Sequence, residues 1–172
     1  GLKVPIVYSS SPYYSGTSGP RQNLWDVRQE LGDEPPYREP SPPVVQRLQP
    51  GIPSEFVEDW VPRGFAVVHS EAPGTGLSMG CPTVGGPPES LAPKAVIDWL
   101  NGRAKGYTTR TSDDEVMAHW STGKVGMTGT SYNGTIPVAA ATTGVEGLEA
   151  IIPVAPNNSY FRYYRENGLV RH

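Results

Sequence analysis

The alternation of short apolar runs with helix-like segments constrains the fold of this chain most. Residues 64–70 (GFAVVHS), 124–128 (KVGMT) and 150–154 (AIIPV) have the length and composition of buried strands. An amphipathic pattern over residues 91–100 and an alanine-rich stretch over residues 132–143 predict helices between them. Since strands that alternate with helices are joined by right-handed crossovers, the sequence predicts an α/β fold with a mostly parallel sheet and flanking helices.

The N-terminal third is expected to add one more strand and a long loop. Residues 2–8 (LKVPIVY) are apolar enough for a buried strand, although Pro5 argues against a fully paired central position. Residues 10–62 are rich in proline and poor in periodic patterns, with one short helix predicted at residues 25–31. Loops this long inside a domain are usually functional. We therefore expect a Pro-rich insertion over residues 10–62 and the main α/β core over residues 63–172.

Composition excludes several classes of partner. The formal net charge is -3 and charged residues make up 18% of the chain, so no nucleic-acid or membrane-surface partner is expected. No apolar run reaches the length of a membrane span. Cys81 is the single cysteine, which excludes an internal disulfide, and we expect it to be a small buried apolar side chain. Neither Cys81 nor the histidines have metal-ligand spacing, so no metal site is predicted.

The motif Gly-Thr-Ser-Tyr-Asn-Gly, from Gly129 to Gly134, lies where a predicted strand gives way to a predicted helix. Ligands bind at the carboxyl ends of parallel strands, and a serine between glycines at such a turn is typical of a nucleophile elbow. The glycines would let strand and helix pass closely, and the N–H of Tyr132 would donate to an oxyanion beside Ser131. The alternative is a serine that merely caps a helix after a glycine-rich turn.

A second glycine run, between Gly74 and Gly80, resembles a dinucleotide fingerprint only superficially. The fingerprint requires a helix to begin inside the run so that its N-terminus meets the pyrophosphate. Here Cys81-Pro82 and a further Gly/Pro cluster follow instead. We therefore predict no nucleotide site and no cofactor.

Longer strings carry a resemblance to a known family. GKVGMTGTSYNGT, AATTGVEGLEAIIPV and YFRYYRENGLVRH resemble the Xaa-Pro dipeptidyl-peptidase family of serine peptidases, most densely from Gly64 to His172. The resemblance implies the N-terminal part of an α/β-hydrolase fold, which that family shares with cocaine-esterase-like acyl hydrolases. It also implies peptide substrates with proline at the second position, whose N-terminal dipeptide is released through an acyl-enzyme.

The resemblance assigns roles to five residues. Ser131 would be the nucleophile, with the Tyr132 N–H as one oxyanion donor. Tyr13, which follows Pro12 in SSSPYY, matches the family's tyrosine whose hydroxyl is the second donor. Tyr160 and Tyr163 would line the pocket for the substrate proline, with Tyr160 standing where the family usually has tryptophan. Aromatic rings suit a pyrrolidine because they bury apolar area without requiring a hydrogen bond.

The base and acid that a serine nucleophile needs are not apparent in the sequence. His69 and His119 precede Ser131, whereas acid and base follow the serine in the α/β-hydrolase order. His172 follows it, but the intervening residues leave no room for the strand–helix units that return a base to the elbow, so we reject it as the base. We expect the chain to be a piece of a longer enzyme whose remaining sequence supplies an Asp and a His, and to be inactive alone.

Two other functions remain open. The elbow does not separate amide from ester substrates, so an esterase or acylase of the same fold, such as an α-amino-acid ester hydrolase, is the nearest alternative. A non-catalytic binding module on a degenerate hydrolase fold is the second. Reaction of Ser131 with a fluorophosphonate would separate the binding module from both enzymes.

Overall fold

The computed structural model describes residues 1–14 and 53–170. Most of the predicted insertion, the helix predicted at residues 25–31, and His172 therefore lie outside the described residues. The described elements follow one another along the chain as β1 (Val4–Ser11), α1 (Ser54–Trp60), a 3-10 helix (Val61–Arg63), β2 (Ala66–Glu71), α2 (Pro87–Leu100), β3 (Gly106–Tyr107), β4 (Glu115–Val116), β5 (Ser121–Thr130), α3 (Tyr132–Thr142), β6 (Leu148–Val154), α4 (Tyr160–Tyr164), β7 (Arg165–Glu166) and β8 (Leu169–Val170).

Four of these strands form a parallel sheet in the order β2-β1-β5-β6. The connection from β2 to β5 includes α2, and the connection from β5 to β6 includes α3, as expected for parallel neighbours. The remaining described strands form two antiparallel ribbons, β3-β4 and β7-β8. The predicted α/β class with a mostly parallel sheet and flanking helices is confirmed.

Helices α2 and α3 pack together on one face of β1 and β5. Side chains that alternate along the two strands meet apolar residues of both helices, and the largest of these side chains are almost completely buried. Each contributes about 1.5–3 kcal/mol through removal from water. The cluster consists of Ile6, Tyr8, Ile97, Leu100, Val125, Met127, Ile136, Ala140 and Val145.

Pro5 argues against a fully paired central strand, and this expectation is wrong about the central position of β1 but not about its complete pairing. β1 lies between β2 and β5 and pairs with both. The pairing of β1 with β5 shifts register between Val4 and Ile6, so the residue that has no N–H falls where the ladder is interrupted. Because of this register shift, the missing N–H of Pro5 does not cost β1 a hydrogen bond within a regular part of the β1–β5 ladder.

Inside the core, Tyr8 forms the centre of a small hydroxyl network. Its hydroxyl lies 2.7 Å from Ser70 Oγ, and Ser70 Oγ donates to Ser10 Oγ at 3.0 Å. Burial raises the pKa of Tyr8 to about 12, although the bonds to Ser70 and Ser10 act in the opposite direction. Ser10 is itself buried, so β1 and β2 are joined by polar as well as apolar contacts.

Asn101, which follows α2, fixes the amino end of the sheet. Its Nδ2 donates to the carbonyl oxygens of Ile97 and Gly123, each at 3.0 Å. A Cβ at Gly123 would lie 2.4 Å from Asn101 Oδ1, and one at Gly147 would lie 2.5 Å from Asn101 Nδ2, both far inside van der Waals contact. The two glycines therefore leave room for one side chain to join α2 to the start of β5 and to pack against the loop before β6.

Two further expectations from sequence need correction. Residues 54–60 form a helix inside a stretch expected to lack regular structure, and Phe56 of this helix packs edge-on against His69 with ring centroids 5.6 Å apart. Cys81, expected to be buried, is exposed. It lies in the Gly/Pro-rich loop between β2 and α2, where the neighbouring residues are exposed too and offer no apolar environment.

Among the described helices, none combines the length and apolar character needed to cross a membrane.

Candidate active site

Ser131 lies at the turn between the carboxyl end of β5 and the start of α3. Its backbone has φ 62° and ψ -122°, a region that side-chain-bearing residues rarely occupy. The residue is exposed, and its hydroxyl makes no capping bond to α3. The helix-cap alternative considered from sequence therefore lacks the bond that would define it, and the oxygen faces open space.

The two glycines of the motif are required by the close passage of strand and helix. A Cβ at Gly129 would lie 2.3 Å from the carbonyl oxygen of Asn133, and one at Gly134 would lie 2.6 Å from that of Val154. Both contacts are to backbone, which cannot rotate away as a side chain can. The turn at Ser131 can therefore be this tight only with glycine at both positions.

Backbone hydrogen bonds hold the strained serine in place. Its N–H donates to the carbonyl oxygen of Val154 at 2.9 Å. Its carbonyl oxygen accepts from the N–H groups of Gly134 and Thr135, each at 3.0 Å. These three hydrogen bonds fix the backbone on both sides of Ser131, so its unfavourable φ is maintained.

Tyr132 and Tyr13 flank the serine. Tyr132 is the first residue of α3, so its N–H has no acceptor within the helix and lies at the positive end of the helix dipole. Tyr13 follows β1 on the neighbouring strand, is 56% exposed, and packs edge-on against the Tyr132 ring with centroids 6.2 Å apart. The backbone N–H of Tyr13 is held by Ser11 Oγ at 3.1 Å.

A cavity of about 250 Å³ opens in front of Ser131. All five residues proposed from sequence line it, so the fold brings together groups separated by up to 150 positions in the chain. Besides Ser131, Tyr13, Tyr132, Tyr160 and Tyr163, its walls consist of Thr135, Ala155, Pro156, Asn157 and Tyr164.

The aromatic wall is built by α4. The ring of Tyr164 stacks on Tyr160 at 6.3 Å and meets Tyr163 edge-on at 5.1 Å. Tyr160 is half-buried, whereas Tyr163 is 57% exposed. The Tyr160 ring also lies against Gly85, where a Cβ would approach it to 2.3 Å.

A buried carboxylate supports this wall from behind. Glu89, in the first turn of α2 and only 6% exposed, accepts from the N–H of Gly85 at 2.6 Å and from Thr83 Oγ1 at 3.2 Å. The Tyr132 hydroxyl donates to the carbonyl oxygen of Thr83 at 3.1 Å. Burial, followed by the negative charge of Glu89, raises the pKa of Tyr132 and of Tyr160. Both phenols are therefore neutral donors across the physiological range.

The described histidines do not reach the serine. His69 lies within β2, where its Nδ1 is 2.9 Å from the Tyr14 hydroxyl and burial lowers its pKa. It is absent from the walls of the Ser131 cavity. His119 lines a different and larger cavity, about 440 Å³, at the amino ends of β1 and β5. That cavity contains the ion pair of Lys105 with Glu115 but lies at the opposite end of the strands from Ser131.

Sequence reasoning missed two residues that shape the site. Glu89 was not singled out, although an acidic residue just after Gly-Gly-Pro-Pro at a helix start is a recognisable signal. Thr135 lies one helical turn after Ser131 and lines the cavity, which the i, i+4 spacing could have indicated. Over residues 1–14 and 53–170, no cluster of three or more His, Cys, Asp or Glu side chains is placed to hold a metal ion.

Comparison with known proteins gives a consistent result. The sequence model of the X-Pro dipeptidyl-peptidase (S15) family matches residues 1–172. A protein of Rhodopirellula baltica, named provisionally as an Xaa-Pro dipeptidyl-peptidase, is 67% identical over 173 residues, which cover 99% of this chain and 28% of that protein. The Xaa-Pro dipeptidyl-peptidase of Lacticaseibacillus rhamnosus is 38% identical over 191 residues, covering 99% of this chain and 24% of the relative.

Solved structures also show similarity in fold. The crystal structure of a CocE/NonD family hydrolase from Staphylococcus aureus matches with a TM-score of 0.51 and 24% identity, covering 88% of this chain and 22% of the other. The chain thus spans about a quarter of the length of the relatives described above.

Proposed function

This chain belongs to the X-Pro dipeptidyl-peptidase (S15) family, and from that premise we propose that it carries the nucleophile of a serine exopeptidase. The enzyme would release Xaa-Pro dipeptides from the N-termini of peptides that have proline at the second position. The observation that carries the proposal is the exposed, strained Ser131 at the mouth of a cavity walled by tyrosines. Peptidase activity in the relatives' names agrees with it.

In the proposed reaction, Ser131 Oγ attacks the carbonyl carbon of the substrate proline while its proton passes to a histidine base. The Tyr132 N–H and the Tyr13 hydroxyl donate to the oxyanion that forms. The C–N bond then breaks, the leaving amine takes the proton from the histidine, and a prolyl ester remains on Ser131. Water attacks this ester with the same base, the C–O bond breaks, and the proton returns to Oγ.

The base and its acid are proposed to come from the rest of a longer enzyme. The described part of the chain offers no histidine at the Ser131 cavity, and the relatives are about four times as long as the matched region. Residues 1–172 would thus be part of a larger α/β-hydrolase catalytic domain. A histidine and an aspartate in later strand-end loops would complete the usual order of the triad.

The walls of the cavity support proline as the residue to be bound next to the scissile bond. Tyr160 and Tyr163 contribute aromatic rings to the walls. An aromatic ring can bury the apolar pyrrolidine without a hydrogen bond, and the proline nitrogen of a peptide has no hydrogen to donate. The neutral phenols of Tyr132 and Tyr160 avoid placing a fixed charge against the apolar pyrrolidine. The cavity, about 250 Å³, is large enough to hold a prolyl ring.

A comparison of two substrates tests the proposal. The complete enzyme containing this chain should hydrolyse Gly-Pro-p-nitroanilide with higher kcat/KM than p-nitrophenyl acetate, and a fluorophosphonate should label Ser131. Preference for the acetate would favour the esterase alternative. Failure of any labelling at Ser131 would favour the binding module, and Ser131→Ala is the control for both measurements.

A further inference from the structure

Thr135 joins the nucleophile turn to the loop that follows β6. Its hydroxyl donates to the carbonyl oxygen of Ser131 at 3.2 Å and accepts from the N–H of Asn157 at 2.8 Å. The hydroxyl therefore uses its one donor and one of its two acceptor positions. The bond from Asn157 to Thr135 is partly buried, so water competes less well for it than for the exposed bond from Thr135 to Ser131.

The hydrogen bonds continue from Asn157 into the aromatic helix. Asn157 Oδ1 accepts from the N–H of Ser159 at 3.0 Å, and Ser159 Oγ accepts from the N–H of Arg162 at 3.3 Å. Ser159 thereby caps α4, the helix that carries Tyr160 and Tyr163. An unbroken chain of hydrogen bonds thus runs from the backbone of the nucleophile to the cap of the pocket helix.

The loop spanned by this chain has a strained backbone that needs support. Ala155 has φ 46°, which is unfavourable for a residue with a Cβ, and Pro156 follows it. Ala155 and Ser131 are both strained and both line the cavity, at the ends of adjacent strands. The bond from Asn157 to Thr135 is one of the contacts that hold this strained segment beside Ser131.

We propose that Thr135 is a positioning residue that sets the distance between the nucleophile and the prolyl pocket. This inference rests on the peptidase function proposed above. A substrate whose proline occupies the pocket must present its carbonyl carbon to Ser131 Oγ, so a displacement of one wall misplaces the reacting atoms. A small ester that does not fill the pocket lacks this requirement.

The test compares Thr135→Val, which removes the hydroxyl at nearly constant volume, with Thr135→Ser, which keeps it, in the complete enzyme. Thr135→Val should lower kcat/KM for Gly-Pro-p-nitroanilide by about 10-fold or more, mainly through KM, because the carbonyl carbon can then reach Ser131 Oγ only if the prolyl ring gives up contact with the displaced wall. The rate of Ser131 labelling by a fluorophosphonate should change far less. Thr135→Ser should restore most of the anilide activity.

Two further variants complete the design. Thr142→Val removes a hydroxyl from the exposed far end of the same helix and should match the wild type in every measurement. Asn157→Ala breaks the bond to Ser159 and should reproduce the selective rise in KM, which keeps the test decisive if Thr135→Val does not fold.

The outcomes separate the inference from the function on which it rests. Wild-type cleavage of the anilide together with an unchanged KM in Thr135→Val and Asn157→Ala would overturn the role of Thr135 and leave the peptidase intact. Equal losses of anilide turnover and of labelling would also overturn it, because a general structural role would then suffice. A wild type that labels at Ser131 but does not cleave the anilide would overturn the proposed function, and the positioning role with it.

Discussion

The backbone N–H of Ser131 donates to the carbonyl oxygen of Val154 at 2.9 Å, which ties the elbow to the last residue of β6. The same carbonyl oxygen would lie 2.6 Å from a Cβ at Gly134. One backbone atom therefore both anchors the candidate nucleophile and dictates the residue that can stand three positions after it. Substitutions in this turn are therefore expected to change the free energy of unfolding as well as the catalytic activity.

The strain at Ser131 predicts different stabilities for two inactive variants. Ser131→Ala and Ser131→Gly should both abolish turnover and labelling in the complete enzyme. Glycine accepts φ 62° without steric cost, whereas alanine keeps a Cβ, so Ser131→Gly should be more stable than Ser131→Ala by about 1 kcal/mol. Denaturant midpoints of the two variants measure the difference, and equal midpoints would argue that the turn is unstrained.

Tyr13 should act on the chemical step rather than on binding. Tyr13→Phe keeps the ring that packs on Tyr132 but removes the proposed oxyanion donor. Loss of one such donor lowers kcat by roughly 10²–10³-fold, and KM should change little. Steady-state kinetics on Gly-Pro-p-nitroanilide give both constants. A change confined to KM would instead assign Tyr13 to substrate binding.

Close approach at Gly134 predicts a severe loss of stability on substitution. Gly134→Ala would place a Cβ 2.6 Å and 2.8 Å from two backbone oxygens, and we expect a loss of more than about 3 kcal/mol or failure to fold. Gly126→Ala is the matched control, since its Cβ would meet backbone oxygens only at 3.9 Å. That change should stay within about 1 kcal/mol. Similar unfolding curves for the two variants would contradict the packing described here.

Burial of Tyr8 predicts a loss of stability at alkaline pH. Its pKa is about 12 in the folded protein against an ordinary value of 10.0, so below pH 10 both states are protonated and stability is full. Above pH 10 the unfolded state loses its proton first, and about 3 kcal/mol should be lost between pH 10 and pH 12.

The matched variants for this effect are Tyr8→Phe and Tyr107→Phe. Tyr8→Phe should cost about 1 kcal/mol at neutral pH through the lost Ser70 bond, yet show a smaller decline at alkaline pH. Tyr107 is half-exposed, and its replacement should leave the wild-type decline in place. Unfolding free energies measured from pH 8 to pH 11 check both expectations. A decline unchanged in Tyr8→Phe would exclude Tyr8 as its source.

The parts of the fold that local pattern determines were predictable from sequence. Apolar runs identified β2, β5 and β6. The glycines on both sides of Ser131 indicated a tight turn, because strand and helix can pass this closely only where no Cβ is present. The central place of β1 was not predictable, because the conflict raised by Pro5 is resolved by a register shift that depends on β5. Likewise, Cys81 looked apolar locally, and its exposure follows from the loop around it.

The candidate site, too, was predictable only in part. Family resemblance supplied the residues that line the cavity, but the bond from Asn157 to Thr135 joins positions 22 apart and depends on the strained path at Ala155. Glu89 acts through Thr83 and Gly85, which contact the tyrosines only after α2 and α4 have docked. Such contacts arise from loop geometry, which residue patterns do not encode.

The interior position of β1 has a consequence for synthesis. β1 is synthesised before both of its neighbours in the sheet, and the pairing of Ile6 with Val125 spans 119 residues, the difference of the two numbers. At translation rates of about 5–20 residues per second, one edge of that nascent strand waits on the order of ten seconds for its neighbour. Until β5 is synthesised, that unpaired apolar edge is open to aggregation.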